Sequence, residues 1–108
     1  QSRDFTYVSN VVTANVLSAF VLDEIGFNVM NIGCGGSTSV NELFNAINEA
    51  AGGKSKALHE PERPGDIRSS SASIARATKL IGFKPETTID DGIRKTIEWF
   101  KKNKNVFD

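Results

Sequence analysis

Arg63 and Asp66 stand three residues apart across Pro64 and Gly65, and this quartet carries the clearest chemistry in the chain. Proline fixes one backbone angle and glycine permits a sharp turn, so both side chains can project from a single loop. Arginine offers a planar, permanently charged fork of donors that suits phosphate oxygens. A carboxylate beside it accepts hydrogen bonds from hydroxyl groups. The same spacing fits a surface turn closed by a local Arg–Asp pair, and spacing alone does not separate the two. Arg3 is a second cation, readable as an anion contact or as an exposed strand arginine paired to Asp4.

The other chemistry-bearing residues read more plainly. Gly33-Cys34-Gly35-Gly36 precedes a helix, but its spacing is not G-x-G-x-x-G, and no acidic residue follows at a strand end about twenty residues on. It reads as a structural connection and gives no cofactor-binding residues. His59 is the only histidine and has Glu60 beside it. No paired nucleophile accompanies them, so a surface histidine is the better reading. Cys34 has no second cysteine and no basic neighbour to activate it. Nothing in the chain has metal-ligand spacing, and no residue is nominated as catalytic. Trp99 and Phe100 read as core or interface rather than as stacking platforms.

These residues need elements to position them. Arg3 to Val8 alternates polar and apolar side chains with aromatics, which suits a short strand. Ser9 or Asn10 can cap a following helix, in which Val12, Val16, Ala19 and Phe20 recur at helical spacing. Val11, Leu17, Val21 and Leu22 make that helix apolar around most of its circumference, so it expects burial on more than one side. Gly26 is read as its stop and Phe27 to Ile32 as a strand. Ser39-Val40-Asn41-Glu42 is a capping box for a helix carrying Leu43, Phe44, Ile47 and Ala50, which halts at Gly52-Gly53. Ala57 to Glu60 reads as a short strand and Pro61 to Gly65 as an irregular loop. Serines 69 to 71 and 73 suit a strand end and a helix cap. A short helix covers Ile74 to Ile81, stopped by Gly82 and Pro85. Thr88-Ile89-Asp90-Asp91 starts a final helix with Ile93, Ile97, Trp99 and Phe100.

Four patterns in one order carry a family resemblance. They are Gln1-Ser2-Arg3-Asp4-Phe5-Thr6-Tyr7-Val8, then Asn31-Ile32-Gly33-Cys34-Gly35 with Ser39-Val40-Asn41-Glu42, then Arg63-Pro64-Gly65-Asp66. Leu80-Ile81-Gly82-Phe83-Lys84-Pro85 with Gly92-Ile93-Arg94-Lys95-Thr96-Ile97-Glu98-Trp99 completes the order. Together they resemble the C-terminal half of nucleotide-sugar epimerases and dehydratases, the extended short-chain dehydrogenases, and UDP-glucose 4-epimerase-like members above all. The resemblance implies a mixed, helix-rich α/β fold, a C-terminal portion without the N-terminal Rossmann half, with residues 1–108 as a single domain. It implies that Arg3 and Arg63 contact the substrate diphosphate and Asp66 the ribose. NAD is the cofactor expected of the full-length family, and none is expected in this chain. Two departures are mild: Asn10 and Ser73 stand where acidic residues are usual.

A larger departure governs function. Catalysis in the family requires a Tyr-x-x-x-Lys pair acting while the cofactor takes hydride, whereas Tyr7 has Val11 four residues on. The expectation is therefore a nucleotide-sugar-binding part that is not catalytically competent alone. The alternatives are a free-standing, self-associating module and one chain of a split epimerase. At 108 residues, with 39% hydrophobic and 24% charged residues, the composition is that of an ordinary globular domain. Thirteen Lys plus Arg balance thirteen Asp plus Glu, so no net field draws the chain to nucleic acid or an anionic membrane. A single cysteine forms no internal disulfide, and no apolar stretch is long enough to cross a bilayer. A cytoplasmic chain is expected, with a nucleoside diphosphate sugar as weak ligand. The apolar first helix points to a homodimer or to a missing Rossmann half as its cover, with the C-terminal helix as the rival cover.

Overall fold

Three short segments meet at Ser2. The computed structural model describes residues 1–22 and 26–107. Strand β1 (Ser2–Arg3) pairs antiparallel with β2 (Thr38–Ser39), in the register Ser2 to Ser39 and Arg3 to Thr38. On its other side Ser2 bridges Ser69 in parallel: the Ser2 amide donates to the Arg68 carbonyl at 2.8 Å, and the Ser70 amide donates to the Ser2 carbonyl at 3.1 Å. The strand is shorter than the alternation from Arg3 to Val8 suggests, because helix α1 (Val8–Val21) begins at its far end.

Helix α1 starts with Tyr7 as an extended N-cap that gives no side-chain bond. Ser9 and Asn10 are not its caps. Both lie inside the first turn and reach across the fold instead. The Ser9 hydroxyl meets that of Thr87 at 3.1 Å, and the Asn10 amide donates to the Thr87 carbonyl at 2.9 Å. The helix ends with Leu22 as C-cap; the approach to Gly26 falls on residues 23–25, outside the described residues.

Phe27 to Ile32 forms no strand. Met30 and Ile32 pack on a core of Ala14, Ala77, Ile81 and Phe83, while Phe27 and Val29 face outward, Phe27 at 90% exposure. The alternation is therefore that of a strand, but among the described residues no neighbouring backbone supplies the ladder that would make it one. Ala57 to Glu60 is likewise unpaired, in a run from Ala51 to Ser71 that is exposed throughout.

The remaining helices pair off. Helix α2 (Val40–Ala51) opens on the expected capping box: the Ser39 hydroxyl accepts from the Glu42 amide at 3.1 Å, and the Glu42 carboxylate accepts from the Ser39 amide at 2.7 Å. It closes at Gly52 in the left-handed region. Helix α3 (Ala75–Ile81) begins at Ile74 without a side-chain cap, so Ser73 does not act as one, and it stops at Gly82. Helix α4 (Ile89–Lys102) takes Thr88 as N-cap, whose hydroxyl accepts from the Asp91 amide at 3.2 Å. A short 3-10 turn, Lys104–Phe107, follows. Helix α2 packs on α4 and α1 on α3. Trp99 and Phe100 stack edge to face at 5.3 Å and stay half-exposed on α4. They do not cover the apolar face of α1, where Val12, Val16 and Phe20 remain exposed.

Candidate functional site

The Arg63 turn is built as its residues predict. Gly65 adopts a positive φ of 88°, and the Asp66 amide closes back on the Arg63 carbonyl at 3.2 Å. The local Arg–Asp ion pair does not form. The arginine that pairs within this loop is Arg68, with Glu62 at 3.2 Å. Asp66 turns instead toward β1, where its Oδ2 accepts from Nε2 of Gln1 at 3.2 Å. Arg63 is exposed on the loop.

Arg3 is half-buried and donates through Nη1 to the Ser2 carbonyl at 2.7 Å. Asp4 is not its partner. The Asp4 carboxylate accepts from the Cys34 amide at 3.0 Å (Oδ1) and from the Gly35 amide at 2.9 Å (Oδ2). It lies so close to the backbone that a Cβ at Gly33 would collide with it. Asp4 thus anchors the glycine turn, and Arg3 is left facing a cleft of about 210 Å³ with Ile32 and Ser70 to Ala72. Arg63 and Asp66 do not line this cleft. The structure brings Arg3 and Asp66 onto adjoining segments and leaves Arg63 exposed on the turn.

A larger hollow of about 370 Å³ lies between α2 and α4, lined by Ala46, Glu49, Ala50, Asp90, Ile93 and Arg94. Its one cation, Arg94, is already engaged by Asp91, and its remaining charges are carboxylates. This is a poor seat for an anionic ligand. His59 is exposed, and Cys34 accepts through Sγ from the Asn10 amide at 3.7 Å. Among the described residues no cluster of His, Cys, Asp or Glu could hold a metal ion. No helix among them is long and apolar enough to cross a membrane.

Residue-by-residue reading missed Asp4, Asn10 and Gln1. Each acts across at least 24 positions of sequence, and spacing patterns hold no signal for partners so far apart.

No family model matches the chain. It is 36% identical over 105 residues to the UDP-glucose 4-epimerase of Bifidobacterium longum, which covers 97% of this chain and 31% of that protein. The solved structure of the Bifidobacterium longum enzyme with NAD+ and UDP superposes with a TM-score of 0.87 over 96% of this chain and 31% of that one. That of Thermotoga maritima UDP-glucose 4-epimerase with UDP-glucose gives 0.84 at 35% identity, over 94% and 32%. The chain belongs to the extended short-chain dehydrogenases. It is a C-terminal portion of the nucleotide-sugar epimerase type, and it spans about a third of the length of the curated relatives it matches.

NAD is bound in the relatives' structures, and the Gly33–Gly36 turn of this chain does not fit that cofactor's pyrophosphate. A dinucleotide pyrophosphate is held by unsatisfied amides of a glycine turn at a helix start. Here the amides of Cys34 and Gly35 are already taken by Asp4.

Proposed function

We propose that the chain is the nucleotide-sugar-binding part of an NDP-sugar epimerase-like protein, with Arg3 and Arg63 on the diphosphate and Asp66 on the ribose. One observation carries the reading. β1 is hydrogen-bonded to residues 68 and 70 while Gln1 reaches Asp66, so the strand bearing Arg3 is tied directly to the segment bearing Arg63 and Asp66. Two guanidinium groups match the charge of a diphosphate, and a carboxylate matches a ribose hydroxyl. The UDP and UDP-glucose in the relatives' structures support the same ligand class. Residues 1–108 lack the Tyr-x-x-x-Lys pair, and in this reading they do not turn over a nucleotide sugar on their own. A cytoplasmic place suits the balanced charge and single cysteine.

Binding is weak. Two charge-assisted contacts contribute about 1.5–3 kcal/mol each, against association costs of at least roughly 4 kcal/mol, which leaves about 2 kcal/mol at most, an affinity of tens of millimolar. Titration with UDP, followed by amide NMR shifts, should move residues 1–4 and 63–70, and Arg63→Ala should abolish most of that movement. Shifts confined elsewhere would refute the assignment. In a coupled assay with UDP-glucose and added NAD the purified chain should stay at background.

A second reading, a self-associating module, is favoured by the exposed apolar face of α1 and the outward Phe27 and Val29. In that reading a second copy, or a Rossmann half on another chain, covers the face.

A further inference from the structure

The charges of the chain sum to zero, but they are not spread evenly. Between Lys95 and Val106 stand four lysines, at 95, 101, 102 and 104, and a single carboxylate, Glu98. All four lysines are exposed, and none forms an ion pair among the described residues. Lys95 leans over the Tyr7 ring; the other three close the chain. The same end carries apolar surface, with Trp99 at 48% exposure, Phe100 at 49% and Val106 at 63%. Cations in the last turn of a helix offset its dipole, which accounts for Lys101 and Lys102. It does not account for Lys104, beyond the helix in the 3-10 turn, or for two half-exposed rings beside the lysines. The rings and the valine call for an apolar layer, and the lysines for anions at its border. A nucleic acid duplex or an acidic protein face supplies the anions alone. An anionic bilayer supplies both, because its charged headgroups lie directly over acyl chains.

We propose that the end of α4 and the 3-10 turn after it dock on an anionic lipid surface. Trp99, Phe100 and Val106 enter the headgroup boundary, while Lys101, Lys102 and Lys104 meet the lipid phosphates, their methylene stems lying along the apolar layer. The contact is peripheral, and it does not depend on the nucleotide-sugar reading: either can fail without the other.

Trp99 is the only tryptophan, so its fluorescence reports the contact directly. The full chain is titrated with vesicles of phosphatidylcholine alone, and with vesicles of phosphatidylcholine and phosphatidylglycerol in equal parts. Trp99 emission should move to the blue with the anionic vesicles only, and move back as salt is raised toward about 1 M, where charges are screened within a few ångströms. Replacing Lys101, Lys102 and Lys104 together by glutamine, all at exposed positions, should weaken partitioning by about a hundredfold, roughly fivefold for each lysine. Val16→Asp, which places a charge on the exposed face of α1, should bind as the wild type does. A blue shift of equal size with phosphatidylcholine alone, or anionic binding that the lysine variant retains, would overturn the proposal. Vesicle binding by sedimentation with Trp99 emission unmoved, or binding lost in Val16→Asp, would place the contact elsewhere and overturn it too. A blue shift with polyglutamate and none with vesicles would assign the patch to an acidic protein and overturn the lipid reading, as would no response to either.

Discussion

Asn10 holds more of the polar interior together than any other side chain described. It is 3% exposed, and its oxygen accepts from the amides of Glu86 at 3.2 Å and Thr87 at 3.1 Å. Its nitrogen donates to the Thr87 carbonyl and to the Cys34 sulfur. All four capacities of the carboxamide are thereby used, and two of them could not be met by a carboxylate, which has no donor. Asn10→Ala should lower stability by about 2–4 kcal/mol, because it strands partly buried amides as well as losing bonds. Urea denaturation against the exposed control Thr13→Ala measures it. Gly92 poses a sharper contest. In a helix interior Gly→Ala gains about 1 kcal/mol by propensity, but a Cβ here would lie 2.8 Å from Cβ and 2.9 Å from Cγ of Tyr7. Tyr7 is the extended residue that starts α1 and has Lys95 over its ring at 5.7 Å, so it cannot swing aside freely. Overpacking of this kind costs about 1–3 kcal/mol. Gly92→Ala should therefore destabilise, and a raised thermal midpoint would show that Tyr7 yields.

At the scale of elements, the capping box of α2 links stability to pH. The bond from the Ser39 backbone amide, helped by the Ser39 hydroxyl, holds the Glu42 carboxyl below its ordinary range. A group whose folded pKa is depressed contributes stability above its unfolded pKa and loses it as pH falls through the folded one. Glu42→Gln keeps a side chain able to meet the Ser39 amide but does not titrate. The wild type should therefore exceed this variant at neutral pH, and the difference should close as the pH falls from the usual carboxylate range to below it. Urea midpoints across that range check the sign; a gap that widens on acidification would be inconsistent with it. Such elements were legible because their signals are local. Ser39 and Glu42 lie three apart, Thr88 and Asp91 likewise, and Gly52 and Gly82 each stop a helix by themselves. The elements misjudged depend on partners far along the chain. Ser9 and Asn10 look like caps until Thr87, more than seventy residues away, claims them. Phe27 to Ile32 has a strand's alternation, yet a strand is defined by a neighbour that no local pattern supplies. The site follows the same rule: the Arg63–Asp66 turn was readable, and the Gln1 and Asp4 bonds that connect it to β1 and the glycine turn were not.

At the scale of the molecule, the unresolved demand is apolar surface. α1 presents Val8, Val12, Val16 and Phe20 outward, Phe20 at 83% exposure, and Phe27 and Val29 continue the apolar surface. The fold has already used what could have covered them: α3 packs on the other side of α1 through Ala14, Ala77 and Ile81, and α4 is engaged with α2. Apolar patches beyond a few hundred Å² are uncommon on soluble monomers and mark interfaces. For a chain that meets no other protein, a second copy is the available cover, and a symmetric dimer buries the same patch on both partners at once. The 27–32 segment, which has no ladder partner among the described residues, adds backbone groups that a copy can pair with. Sedimentation equilibrium from micromolar to millimolar protein should therefore show mass above 11.7 kDa that rises with concentration. Val16→Asp places a charge in the middle of the α1 face at a half-exposed position, so it should leave the monomer folded and return the mass to one chain. A single 11.7 kDa species across the whole range would mean that this face tolerates water, and the self-association reading would fall with it.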